Sequence, residues 1–121
     1  MRMDLAEQLV TQLRFDFAVS LLTLQGTVVR VQSDFVVGHP GQEPVLVSIE
    51  DLAAGAGAVM QLFGQVLVAA EATDEGALHL FFESGASVHV MPDDTFEPWS
   101  LNSGTGELLI GLPGGGRAVY R

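Results

Sequence analysis

Leu78-His79-Leu80-Phe81-Phe82-Glu83-Ser84-Gly85-Ala86-Ser87-Val88-His89-Val90 decides the fold, because it reads as strand, turn, strand. Leu78, Leu80 and Phe82 alternate with His79 and Phe81, and Val88 and Val90 alternate with Ser87 and His89. That is the period-two pattern of strands with one buried face. Glu83-Ser84-Gly85 suits a three-residue hairpin loop with glycine in the left-handed position. Phe82 then pairs with Ala86, and counting outward places His79 directly opposite His89, with Cβ atoms roughly 4.5–5.5 Å apart.

The same pattern continues to both sides. Asp74-Glu75-Gly76 and Ser103-Gly104-Thr105-Gly106 are further turn signals, and the chain from Gly76 to Arg121 alternates strand and turn throughout. Val66–Ala72 reads as a strand. The segment Val10 to Val31 resembles Val66 to Val90 once a single gap is allowed. Leu22 and Leu24 then fall on Leu80 and Phe82, Gly26 on Gly85, and Val29 and Val31 on Val88 and Val90. This suggests two meander-like halves, with an internal repeat over 9–37 and 65–92. Leu5, Leu9 and Leu13 also recur at helical spacing behind an Asp4–Glu7 capping pattern, so 4–15 reads as helix or strand. The match to Val66–Ala72 favours strand. Gln25-Gly26 suits a two-residue hairpin turn. His39-Pro40-Gly41-Gln42-Glu43-Pro44 is a loop, since proline is excluded from strand interiors.

Acidic Glu50-Asp51, an alanine-rich stretch and Gly64 describe one helix near 51–63, weakened by Gly55 and Gly57. Leu52, Val59, Met60 and Phe63 are its expected buried side. The predicted fold is α+β: one domain, 1–121, with a mainly antiparallel, strongly curved or partly closed sheet and one helix packed on it.

Composition narrows the function classes. The 121 residues carry 15 acidic groups against 5 arginines, for a formal net charge of −10. Nucleic-acid binding and anionic membrane surfaces call for a basic face, and the arginines lie scattered from Arg2 to Arg121. A basic protein partner would be attracted, chiefly through a faster association rate, while the bland role of the charge is solubility. The absence of cysteine excludes disulfides, thiolate nucleophiles and cysteine-rich zinc sites, and fits a reducing cytosol. The N-terminal residues lead into no signal-type apolar core, and the apolar run Phe17–Leu24 is far shorter than a membrane span. The expected location is cytoplasmic. The lack of lysine beside abundant Ala, Gly, Val and Leu suits a GC-rich bacterial genome.

Chemistry-bearing motifs are few. The His79–His89 pair offers two imidazoles to a metal such as zinc or nickel, with Glu71 or Glu83 as third-ligand options, or is simply an aligned pair on a solvated face. Trp99 either anchors the core or stands at the edge of a binding surface, with Asp93, Asp94 and Glu97 beside it as partner contacts. Pairing Glu97 with Asp93 or Asp94 as acid and base finds no support in spacing alone. Leu112-Pro113-Gly114-Gly115-Gly116-Arg117 lacks the following helix of a phosphate-cradling loop and reads as a turn. No serine lies in a Gly-x-Ser-x-Gly setting. The expectation is a protein that is not an enzyme and needs no cofactor.

The order Leu80, Phe82, Gly85, Val88, Val90, then Asp93-Asp94, Glu97, Trp99, Leu101, then Pro113-Gly114-Gly115 resembles a family of small uncharacterised actinobacterial proteins. The pattern of strand, glycine turn, strand and Glu-x-Trp is also similar to several immunity proteins of bacterial polymorphic-toxin systems. That resemblance implies a non-enzymatic module that neutralises a toxin domain by direct contact. No contact residue carries over beyond Glu97 and Trp99. The alternatives are a small-molecule or metal-binding β domain, and a self-assembling subunit associating through a strand edge.

Overall fold

The computed structural model describes residues 1–120. Their elements run β1 (Arg2–Phe15), β2 (Val19–Thr23), β3 (Val28–Val31), β4 (Phe35–Gly38), β5 (Val45–Val47), α1 (Leu52–Met60), β6 (Val66–Ala72), β7 (Leu78–Phe82), β8 (Ser87–Val90), β9 (Trp99–Asn102), β10 (Leu108–Gly111) and β11 (Arg117–Tyr120). All eleven strands belong to one antiparallel sheet in the order β11-β10-β9-β3-β2-β1-β6-β7-β8-β4-β5. The sheet is open, with β11 and β5 as free edges. This corrects the expected α+β fold with a partly closed sheet: beside one open eleven-stranded sheet there is a single nine-residue helix, and turns and loops make up most of the remainder.

Chain geometry fixes how this long sheet is disposed. Val31 ends β3 and Phe35 begins β4, so four Cα steps, at most about 15 Å, join them. The strand order puts six spacings between β3 and β4, about 29 Å across a flat sheet. The sheet therefore folds over, and its two wings face each other. β1 is the strand that belongs to both. Its first part pairs with β6 from Arg2↔Glu71 to Leu9↔Val66, and its second with β2 from Val10↔Thr23 to Phe15↔Val19. Register shifts between Asp4 and Gln8 and between Val10 and Gln12 mark where it passes from one wing to the other, the usual use of bulges at sheet corners.

Each half of the chain begins as a meander, β1-β2-β3 and β6-β7-β8. The next strand then crosses over: β4 pairs with β8, and β9 pairs with β3. The core lies between the wings. Val10, Leu21, Val29, Val31, Trp99, Leu101 and Leu109 meet Phe35, Val37, Leu67, Leu78, Leu80, Val88 and Val90.

α1 rests on β5 and β4 and contributes Val59, with Leu62 just beyond it. Gly55 lies against the Val47 side chain, where an added Cβ would sit 2.9 Å from Val47 Cγ1. Met60 and Phe63, expected on the buried side, point outward at 60% and 61% exposure. Val59 is buried as expected and Leu52 packs partly against the core, while Gly55, Ala58 and Leu62 complete the inward side in place of Met60 and Phe63.

Five hairpin loops among the described residues repeat one geometry: 24–26, 74–76, 83–85, 104–106 and 113–115. In the first, Thr23 N–H donates to Thr27 O and Gly26 N–H to Thr23 O; in the third, Phe82 N–H donates to Ala86 O and Gly85 N–H to Phe82 O. The third loop residue is glycine every time, with φ of +96° at Gly26 and +93° at Gly85, a conformation other residues adopt only with strain. Leu24-Gln25-Gly26 is thus a three-residue loop, not the two-residue turn expected at Gln25-Gly26. The β2–β3 and β7–β8 hairpins therefore superpose residue for residue: buried Val19, Leu21 and Thr23 correspond to Leu78, Leu80 and Phe82, and the pairing of Leu22 and Leu24 with Leu80 and Phe82 is one residue out. The gap between the halves falls instead between their first and second strands, where 16–18 joins β1 to β2 and the longer 73–77 joins β6 to β7.

Candidate functional site

Where the chain crosses between wings, its connections gather at one end of the molecule. Segment 32–34 joins β3 to β4, 48–51 joins β5 to α1, and 91–98 joins β8 to β9. Ser33 Oγ donates to Met91 O at 3.3 Å, and Asp34 Oδ1 accepts from Ile49 N–H at 3.1 Å. The hairpin loops at that end join them: Gly114 N–H donates to Asp93 O at 2.7 Å and Gly116 N–H to Glu75 O at 2.9 Å. Between the three connections lies a cleft of about 520 Å³, lined by Ser33, Asp34, Ile49, Glu50, Met91, Asp93 and Phe96 among others.

This end is strongly acidic. Asp34, Glu50, Asp51, Asp74, Glu75, Asp93, Asp94 and Glu97 all stand on the segments just described, eight of the chain's 15 carboxylates. Arg117 pairs with Asp74 at 2.6 Å and is itself largely covered. The hydrogen bond from Arg117, and secondly its charge, hold the exposed Asp74 carboxyl below its ordinary value. Asp93 is structural as well as charged. Its Oδ1 accepts Thr95 N–H at 2.8 Å and Phe96 N–H at 2.9 Å, which closes the start of the loop into a turn. Those two backbone donors, Phe96 first, lower the Asp93 pKa from 3.8.

The turn projects Phe96 into solvent at 65% exposure, with Met91 beside the same cleft at 52%. Exposed Asp94 and Glu97 flank Phe96 in the chain. Trp99 is elsewhere. It begins β9, is 1% exposed, and donates its indole N–H to Gly76 O at 2.8 Å. The 93–99 segment therefore offers Phe96, not Trp99, as its aromatic surface group. Sequence reasoning passed over Phe96, Asp34 and Glu50. An aromatic at the centre of Asp-Asp-Thr-Phe-Glu-Pro was the available signal for the first; the other two are joined to it only by the crossovers.

The two imidazoles do face each other. His79 pairs with His89 in the β7–β8 register, and their Nδ1 atoms are in hydrogen-bonding contact. Glu71 stands opposite His79 on β6, yet no group of three or more His, Cys, Asp or Glu side chains comes close enough to hold a metal ion among the described residues. Burial, and secondly the neighbouring His79, lower the His89 pKa from 6.5. The third histidine, His39, is buried with Nε2 at 2.8 Å from Ala58 O, which places a proton on Nε2 and satisfies a carbonyl in the last turn of α1.

A separate apolar groove of about 720 Å³ lies between β1 and the end of α1, lined by Thr11, Gln12, Leu13, Phe15, Met60 and Phe63. Among the described residues, no helix is long and apolar enough to cross a membrane.

In comparisons with known proteins, no curated protein and no solved structure matches the chain. A family model does, over residues 1–121. The chain belongs to that family, described as a family of unknown function (DUF6188).

Proposed function

We propose that the protein is a non-enzymatic binding module whose acidic cleft receives a basic protein partner, in the manner of an immunity protein that neutralises a toxin domain by contact. The observation that carries this reading is the placement of exposed Phe96 and Met91 at a cleft edged by Asp34, Glu50 and Asp93. Exposed apolar side chains ringed by carboxylates that form no ion pair among the described residues suit a partner that presents an apolar anchor surrounded by Lys or Arg. Burial of the aromatic supplies affinity, and the charge supplies rate and orientation. Asp94 and Glu97 extend the charged rim; Trp99 serves the site only by anchoring the β9 end of the loop.

The test is affinity capture from the native host's lysate with two baits, the wild-type chain and Phe96→Ser/Glu97→Lys. One stoichiometric basic partner, captured by the first bait and lost from the second at unchanged melting temperature, is the expected result. Equal capture by both baits would move the contact off this cleft. A defined homo-oligomer without a heterologous partner would favour the second reading, self-assembly through the Leu13–Phe15–Met60–Phe63 groove, whose exposed apolar side chains are the observation behind it.

A further inference from the structure

His79 and His89 project from the outer face of the wing, opposite the side that carries Leu78, Leu80, Val88 and Val90 into the core. Their ring centroids are 4.7 Å apart and the planes are inclined at 63°. A hydrogen bond between two Nδ1 atoms needs one donor and one acceptor, so the pair shares one proton and both lone-pair directions converge on a single point. Whatever replaces that proton must be a Lewis acid that imidazole favours.

The surroundings hold the rings in place. β6 and β4 flank the two strands, so neither is a free edge. Phe81 meets the His89 ring edge-on with centroids 6.5 Å apart, and the Arg2 guanidinium lies 5.4 Å from the Phe81 centroid. Glu71, opposite His79, adds a negative charge in the same cross-strand row.

We propose that His79 and His89 form a two-imidazole chelate for a divalent transition-metal ion, with copper(II) bound most tightly. Imidazole suits copper, nickel and zinc, and copper(II) heads the first-row affinity order. Metal–nitrogen bonds of about 2.0 Å require the two Nδ1 atoms to part to roughly 3 Å, a change that side-chain rotation of two half-buried residues supplies without moving a strand. Among the described residues no third His or carboxylate side chain is placed to join the two imidazoles, so water completes the coordination. The site is an open, exchangeable one, unlike a closed structural zinc site.

The experiment titrates copper(II), then nickel(II) and zinc(II), into the intact protein near neutral pH by calorimetry, with electron paramagnetic resonance on the copper sample. One ion per chain with a two-nitrogen signature is expected. His79→Ala and His89→Ala should each weaken copper binding by roughly a hundredfold, the gain lost when a chelate becomes a single imidazole. Retention of the same affinity in the double variant would place the metal elsewhere, for example on the Met1 amine, and overturn the site. So would wild-type binding no tighter than one imidazole gives, which would leave a pair that holds only its proton. An independent readout on the unmodified chain is nuclear magnetic resonance with zinc(II). Shifts confined to β7, β8 and their neighbours are expected, and shifts elsewhere alone would refute the proposal.

Discussion

The indole N–H of Trp99 donates to the carbonyl of Gly76 across 2.8 Å, tying the start of β9 in one wing to the β6–β7 hairpin of the other. The ring also occupies the space over Gly111, where an added Cβ would fall 2.6 Å from Nε1. Trp99 is thus the pin between the wings, and as the single tryptophan of the chain it reports on them.

Replacing Trp99 with Phe should cost about 1–3 kcal/mol, because the Gly76 carbonyl is left buried without its donor. Urea unfolding followed by circular dichroism checks the figure. In the wild type, indole fluorescence should shift to the red in the same single transition as the circular dichroism signal. Two separate transitions would mean that the wings come apart before they unfold.

The glycines of α1 should respond in opposite directions. Gly57 faces open space, and Gly57→Ala should raise stability by about 0.5–1 kcal/mol through helix propensity. Gly55→Ala gains the same propensity but drives its methyl to 2.9 Å from Val47 Cγ1, so β5 must move and the net change is a loss. Paired thermal melts of the two variants would expose an error in the helix–β5 packing if both proved stabilising.

Asp93 should contribute to stability only while ionised. Its folded pKa lies below 3.8, so the contribution is present above the unfolded value and is lost as pH falls through the folded one. Asp93→Ala should therefore melt below the wild type at neutral pH, and the gap should close in acid beneath pH 3.8. A gap that persists in strong acid would trace the effect to something other than the carboxylate's bonds to Thr95 and Phe96.

His89 should titrate below 6.5 in the folded protein, with the midpoint read from its ring proton resonances. Burial is the larger cause and His79 the smaller, so His79→Ala should raise the midpoint only part of the way. As the folded value is depressed, the His89 contribution is complete above 6.5 and declines as pH falls through the folded midpoint. Full recovery to 6.5 in the variant would reverse the order of the two causes.

Local pattern was legible in the chain, and pairing between its halves was not. Alternation in Leu78–Phe82 and Ser87–Val90 specified a buried face, and a loop with one feasible length then placed His79 against His89. Gln25-Gly26 is different, because local pattern there admits two turn lengths. A Gln-Gly turn and a Leu-Gln-Gly turn are equally good locally, and only Thr23, a buried threonine standing where Phe82 stands in the other half, decides between them. Thr23 Oγ1 donates to Gln8 Oε1 and accepts from Thr27 N–H, so its polarity is satisfied inside, which a hydropathy pattern cannot register. The crossing of β4 and β9 left no trace in composition or period. It depends on which of several similar β-branched strands meet, and with it went the acidic cleft, whose walls come from segments 15 to 60 residues apart.

The crossing also determines how the chain comes apart. Cut near Gly64, it would give one piece holding β1 to α1 and another holding β6 to β11. The β4–β5 hairpin of the first has its only sheet neighbour, β8, in the second, and β9–β11 of the second have theirs, β3, in the first. Neither piece is a domain, and each is the missing partner of the other, so the two expressed together should reassemble as a split protein. Two intact chains that meet while unfolded offer each other those same seams. Refolding at high concentration should therefore yield dimers with exchanged halves, and refolding at low concentration monomers.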